Sequence, residues 1–202
     1  MMKDSLVIFL HGVGSRGADL APLAQLWAGT LPHAAFEAPD APHPFDGGGN
    51  GCQWFSVAGV TEANRPARVE AARPGFDAVV AALMDRHGLA GRPDRVAFVG
   101  FSQGSIMALD AVASGRWNVA AVAAFSGRLP AGVSDHPAAD TNVLLIHGAA
   151  DRVLPATEAV RAEALFTRAG VQAEARVIAG LGHTISQEGA VLAGEFLAER
   201  LG

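Results

Sequence analysis

Short runs of uniformly apolar residues, separated by stretches of helical period, constrain the fold of this chain more than any other feature. Residues 6–10 read LVIFL, and residues 95–100, 119–125 and 143–147 carry similar runs. A strand with no polar alternation is buried on both faces, the condition of a strand inside a parallel sheet. A weaker strand is expected at 34–38 and a last one at 173–178. Between them lie helical patterns at 18–27, 104–114, 155–168 and 187–200. Another helix places Phe76, Val79, Val80, Leu83 and Met84 on one face, starts at Pro74-Gly75 and stops at Gly88. Strand and helix alternate throughout, which predicts an α/β fold: a mostly parallel central sheet with helices on both faces and right-handed crossovers. At 202 residues, with no linker or repeat, the chain is expected to form one domain, 1–202. In such sheets, sites lie beyond the carboxyl ends of the strands, so the loops there carry most weight. Two longer stretches, 39–57 and 127–141, read as irregular.

Composition removes several functional classes. A net charge of -5 argues against nucleic acid, whose phosphates demand clustered Lys and Arg. The chain has no tyrosine, and its single lysine is Lys3. A Walker-type phosphate loop, a Ser–Lys dyad and a Schiff-base lysine are therefore disfavoured. Cys52 is the only cysteine, so neither an internal disulfide nor a cysteine zinc cluster is available. No stretch reaches the length of a membrane span, and a cytoplasmic enzyme is expected.

The chemistry centres on Gly100-Phe101-Ser102-Gln103-Gly104, a G-x-S-x-G sequence set between a predicted strand and a predicted helix. The serine must occupy a sharp turn, and side chains at either glycine would clash. The helix after the turn directs its amides toward charge developing near Ser102. A hydroxyl needs a base, and in this arrangement the order along the chain is Ser, acid, His. His183 lies in the loop before the last helix, and Asp151 comes after the strand at 143–147. Ser102, Asp151 and His183 are thus the expected catalytic residues, with Asp151 orienting the imidazole. Asp135, Asp140 and His136 share a polar loop and suit solvation. His147 suits a supporting hydrogen bond, and Ser126 reads as a loop serine. The oxyanion hole is expected from the backbone N–H groups of Gln103 and Val13, the latter in the loop His11-Gly12-Val13-Gly14.

That early loop also fits a rival pattern. Residues 12–17 match G-x-G-x-x-G after a strand, and Glu37 ends the next strand near the spacing of a ribose-binding carboxylate. This predicts a dinucleotide-binding oxidoreductase. It leaves residues 100–104, Asp151 and His183 unexplained, and a chain this short has little room for a separate substrate domain.

Taken together, these segments resemble the phospholipase/carboxylesterase family of α/β-hydrolases, which includes the acyl-protein thioesterases. The resemblance rests on residues 9–14 (FLHGVG), 100–105 (GFSQGS), 147–151 (HGAAD) and Gly182-His183, with weaker likeness at 38–42 and 53–55. It implies an α/β-hydrolase fold without a large cap domain and a small-molecule ester or thioester substrate, with the triad and oxyanion amides named above. It further implies an acyl-binding surface that includes Trp54, Phe55, Val153 and Leu154. Trp54 and Phe55 suit ordinary core packing equally well. The apolar lining predicts uncharged, short to medium acyl groups. Two features depart from the family: Ser15 stands where Asp is frequent, and residues 46–53 (DGGGNGCQ) are rich in glycine. No metal or nucleotide cofactor is expected. By resemblance alone the chain is compatible with a homodimer. Carboxylic ester hydrolysis leads, and acyl-thioester hydrolysis by the same machinery is the alternative. A non-catalytic hydrolase-like binding module is disfavoured because all three triad residue types are present.

Overall fold

A computed structural model describes residues 3–202. Its strands are β1 (Ser5–Leu10), β2 (Ala34–Glu37), β3 (His43–Pro44), β4 (Cys52–Gln53), β5 (Val96–Phe101), β6 (Ala121–Phe125), β7 (Asn142–Gly148) and β8 (Gln172–Ile178). Six of them form a parallel central sheet in the order β2-β1-β5-β6-β7-β8. The apolar runs occupy the interior strands, as double-sided burial requires. In β1, Leu6, Ile8 and Leu10 enter one hydrophobic cluster, and Val7 and Phe9 enter the other. The first cluster lies under α2 (Arg65–Arg86), α3 (Gln103–Ala113) and α4 (Thr157–Arg168). The second lies under α1 (Ala21–Trp27) and α5 (Gln187–Leu201). The edge strand β8 alternates between half-buried and exposed positions, which is why its sequence is less apolar.

Three expectations need correction. The helix expected from Pro74 starts nine residues earlier, at Arg65, and Pro74 lies inside it. The start signal is Thr61-Glu62-Ala63-Asn64. There the Thr61 N–H donates to Asn64 Oδ1 at 2.8 Å, and the Asn64 N–H donates to Thr61 Oγ1 at 3.3 Å. Pro66 then fills the first turn, where a missing amide costs nothing. Packing of Val69, Ala72, Phe76 and Val80 in the core outweighs the hydrogen bond that Pro74 removes. The helix expected at 18–27 divides into a 3₁₀ turn, Gly17–Leu20, and then α1. The stretch 39–57, read as irregular, contains a small antiparallel hairpin of β3 with β4.

Because the strands of the sheet run parallel, the connections after β1, β5, β6, β7 and β8 all begin at the same edge, the carboxyl ends. Residues 11–16, Ser102, Ser126, Asp151 and the loop to His183 therefore all emerge on one side of the sheet.

Candidate active site

Ser102 sits between β5 and α3 with φ 51° and ψ −111°, a conformation that side-chain-bearing residues rarely adopt. Two neighbours hold it there. Its N–H donates to the Phe125 carbonyl at 2.9 Å, and its carbonyl accepts from the Ile106 N–H at 3.1 Å. The flanking glycines are steric necessities. A Cβ on Gly100 would lie 2.5 Å from the Ser105 nitrogen, and one on Gly104 would lie 1.9 Å from the Leu10 carbonyl oxygen. The motif thus permits β5, α3 and β1 to approach closely enough to form the turn.

His183 places Nε2 3.0 Å from Ser102 Oγ and Nδ1 2.7 Å from Asp151 Oδ2. An ionised carboxylate only accepts, so Nδ1 carries the proton and Nε2 is free to accept the serine hydrogen. Asp151 is fully engaged: its Oδ1 accepts from the Val153 and Leu154 amides at 2.8 and 2.9 Å. Burial alone would raise its pKa. The Leu154 amide, His183 and the Val153 amide outweigh that effect and hold it below the ordinary carboxylate value. His147 borders the same carboxylate at 3.3 Å and places Nε2 2.8 Å from the Leu154 carbonyl, so it braces the loop as its position suggested. Gly148 lets the two loops meet. A Cβ there would lie 2.2 Å from the Leu181 carbonyl, and the Ala150 N–H donates to that same carbonyl at 2.8 Å.

The loop after β1 runs beside the serine: a Cβ on Gly12 would meet Phe101 at 3.1 Å and the Ser102 Cβ at 3.5 Å. Val13 is half-buried, and its N–H makes no backbone hydrogen bond within the described residues. Gln103 opens α3, where an amide has no partner within the helix. Both amides are therefore available to a ligand. The loop's shape is fixed by His11, which places Nδ1 2.7 Å from the Gly12 carbonyl and accepts the Ala41 N–H on Nε2 at 2.9 Å. Burial pushes the His11 pKa down, which keeps the ring neutral for these two bonds.

The Gln103 side chain has a role the sequence did not suggest. Its Oε1 accepts from the Trp54 N–H at 2.8 Å, and its Nε2 donates to the Phe55 carbonyl at 2.7 Å. The Trp54 indole in turn donates to the His11 carbonyl at 3.0 Å. No sequence pattern signals this grip, which joins a buried Gln to the bend at Trp54-Phe55. Trp54 itself is 1% exposed and packs edge-on against Phe76. Trp54 and Phe55 belong to the core cluster and border a groove, whereas Val153 is 66% exposed and Leu154 half-buried on the Asp151 loop. The four residues are not brought to one pocket.

The glycines at 12–17 are used internally. Gly14 takes φ 75°, and a Cβ on Gly17 would lie 1.9 Å from the Ala38 carbonyl. Glu37 is engaged by His87 at 2.8 Å and Arg86 at 3.3 Å. Asp135 and His136 are exposed, and exposed Asp140 accepts from Asn118 at 2.9 Å. None of these reaches the serine. Arg128 is another residue without a sequence signal: buried in the loop after β6, it pairs with Glu62 at 2.8 Å and with Glu158, tying that loop to the start of α2 and to α4.

A parallel sheet carrying a serine on a strained strand-to-helix turn, with a histidine and a carboxylate from later loops, defines the α/β-hydrolase class. The phospholipase/carboxylesterase family model matches residues 2–201, so the chain belongs to that family, one of carboxylic ester hydrolases. The chain is 33% identical to esterase YpfH of Escherichia coli over 182 residues, covering 90% of this chain and 77% of that protein. It is 27% identical to acyl-protein thioesterase 1 of Neurospora crassa over 215 residues, covering 96% and 86%. Among solved structures it is similar to esterase PE8, with a TM-score of 0.86 and 37% identity over 98% of this chain and 93% of that one. It is also similar to Arabidopsis thaliana SOBER1, at 0.80 and 25% over 98% and 99%. Among the described residues, no helix is long and apolar enough to cross a membrane.

Proposed function

We propose that Ser102, His183 and Asp151 are the catalytic triad of an enzyme that hydrolyses small carboxylic esters through an acyl-enzyme. The observation that carries the reading is the unbroken hydrogen-bond chain from Ser102 Oγ through His183 to Asp151. As Ser102 Oγ attacks the carbonyl carbon, His183 Nε2 takes its proton. The carbonyl oxygen becomes an oxyanion held by the Val13 and Gln103 amides. Collapse expels the alcohol, which receives the proton from His183. Water then attacks the acyl-serine, with His183 again as base, and releases the acid. Asp151 holds the imidazole tautomer and stabilises the imidazolium. A thioester would pass through the same steps with a thiol as leaving group, and the likeness to an acyl-protein thioesterase supports that second substrate class. The proposal extends to a cytoplasmic enzyme acting as one domain, without metal or nucleotide.

An organophosphonate probe tests the whole constellation, because it reacts quickly only where a base activates the serine and an oxyanion hole receives the phosphoryl oxygen. Peptide mapping should place one adduct, on Ser102. Ser102→Ala should abolish labelling, and His183→Ala should suppress it with the serine still present. An adduct on Ser126, or full esterase activity in Ser102→Ala, overturns the assignment.

A further inference from the structure

Six arginines of this chain are not exposed: Arg65, Arg68, Arg73, Arg95, Arg116 and Arg128. Five are paired with a carboxylate, namely Glu62, Asp110, Asp4, Asp77 with Asp110, and Glu62 with Glu158. Arg68 is the exception among the described residues. Its Nη1 donates to the Ser56 carbonyl at 2.9 Å, a bond that aims the guanidinium but pairs it with no carboxylate. A half-buried cation without a direct ion pair has lost part of its hydration and is compensated only by the more distant charge of Asp46, so it is free to take up an anion from outside.

Arg68 lines a groove of about 570 Å³, together with His43, Phe45, Asp46, Trp54 and Phe55 among others. Ser102 and His183 do not line it, yet the groove is joined to their surroundings at two points. Its floor, Trp54-Phe55, is the dipeptide gripped by the Gln103 side chain. Its wall, Phe45, packs on the loop that presents Val13, where a Cβ on Gly14 would lie 3.3 Å from the ring. The groove therefore abuts both segments that carry the available amides. Asp46 stands on its solvent rim, exposed; Ser56 and Gln53 engage its carboxylate, and Arg68 acts on it through its charge without forming a direct ion pair.

We infer that this groove is a subsite for a carboxylate carried on one limb of the substrate, bound by Arg68 while the ester carbonyl lies at Ser102. This rests on the proposed Ser102 chemistry and replaces the uncharged acyl group expected from the apolar residues with a short monoester or thioester of carboxylate-bearing character. A planar guanidinium matches a carboxylate with two parallel hydrogen bonds.

Amide analogues test binding without turnover, so failure of the Ser102 assignment appears in probe labelling and not in these affinities. N-butylsuccinamate carries the carboxylate on the acyl limb, N-butanoyl-β-alanine carries it on the other, and N-butylbutanamide is neutral. Titration calorimetry at low salt should find one of the two anions bound roughly tenfold more tightly than the neutral amide, and the preferred anion identifies the limb. Arg68→Gln should erase that preference, and Arg68→Lys should keep part of it. Asp46→Asn, an exposed change that leaves Arg68 in place, should tighten the anion by about twofold. Both anions binding no better than the neutral amide overturns the inference. So does a preference that survives Arg68→Gln. If Arg68→Gln fails to fold, an unchanged anion affinity in Asp46→Asn overturns it instead.

Discussion

Ser102 and Ser126 end neighbouring parallel strands, β5 and β6, and share an unusual backbone. Their φ angles are 51° and 48°, the only positive values outside glycine among the described residues. Each donates its N–H to the next strand over, Ser102 to Phe125 and Ser126 to Ile146, both at 2.9 Å. The turn geometry is thus repeated one strand along. The side chains fare differently. Ser102 Oγ meets His183, whereas Ser126 is 1% exposed and its hydroxyl finds no hydrogen-bond partner in the protein. After Ser102 the chain enters α3 and offers amides. After Ser126 it continues as the buried loop Gly127-Arg128-Leu129. A strained backbone at a strand end therefore does not by itself bring a serine hydroxyl to a base. Access and a base within reach separate the two.

Activity should separate the two serines most decisively. Ser102→Ala should lower kcat by about 10⁴-fold or more, the scale of losing a triad nucleophile. Ser126→Ala should leave ester turnover at the level of the parent enzyme. Steady-state rates on a chromogenic ester decide this, and comparable losses in both variants would remove the distinction. A smaller effect separates the glycines that come after each serine. Gly104→Ala drives a methyl into the Leu10 carbonyl and should destabilise the fold by roughly 3 kcal/mol in denaturant titration. Gly127→Ala meets the Ser105 Cβ at 2.4 Å, an atom fixed to the α3 backbone; the overlap is shallower than the 1.9 Å approach at Gly104 and should cost somewhat less. The smallest effect concerns the hydroxyl with no partner. Ser126→Ala should raise stability by about 1 kcal/mol, since it removes a buried polar group that pairs with nothing.

The two sites should also differ in their response to pH. Asp151 has a pKa lowered in the fold, so its contribution is present above the ordinary carboxylate pKa of about 3.9 and is lost as pH falls through the lower folded value. Asp151→Asn should therefore flatten the acid limb of the stability curve, and Ser126→Ala should shift the whole curve without changing its slope. A parallel shift for Asp151→Asn would show that the carboxylate contributes no proton linkage.

The interior strands were legible because double-sided burial writes itself as unbroken apolar runs, and β1, β5 and β7 lie close to where those runs stand. Ser102, Asp151 and His183 were nameable because strand ends and chain order restrict the choices. What escaped depends on partners distant in sequence. The start of α2 is masked because Pro74 looks like a first-turn residue and draws attention from the earlier signal of Thr61, Asn64 and Pro66. The grip of Gln103 on Trp54 and Phe55 spans nearly fifty positions, and no spacing rule connects a glutamine to a backbone so far away. Arg68 carries no signal at all in the sequence, because its distinction is the lack of a direct ion pair.

Every residue of α3 is buried, while His183 lies in a half-exposed loop between β8 and α5. The two halves of the serine–histidine contact thus differ in compliance. Moving Ser102 means shifting a helix wedged against β1, β5 and β6, which requires opening much of the core at once. Moving His183 asks only for a local excursion of a short surface segment. Fluctuations that lengthen or restore the contact belong to the histidine side. The serine is thus the stiff side of the contact, and the imidazole, anchored at Nδ1 by Asp151, is the side that yields.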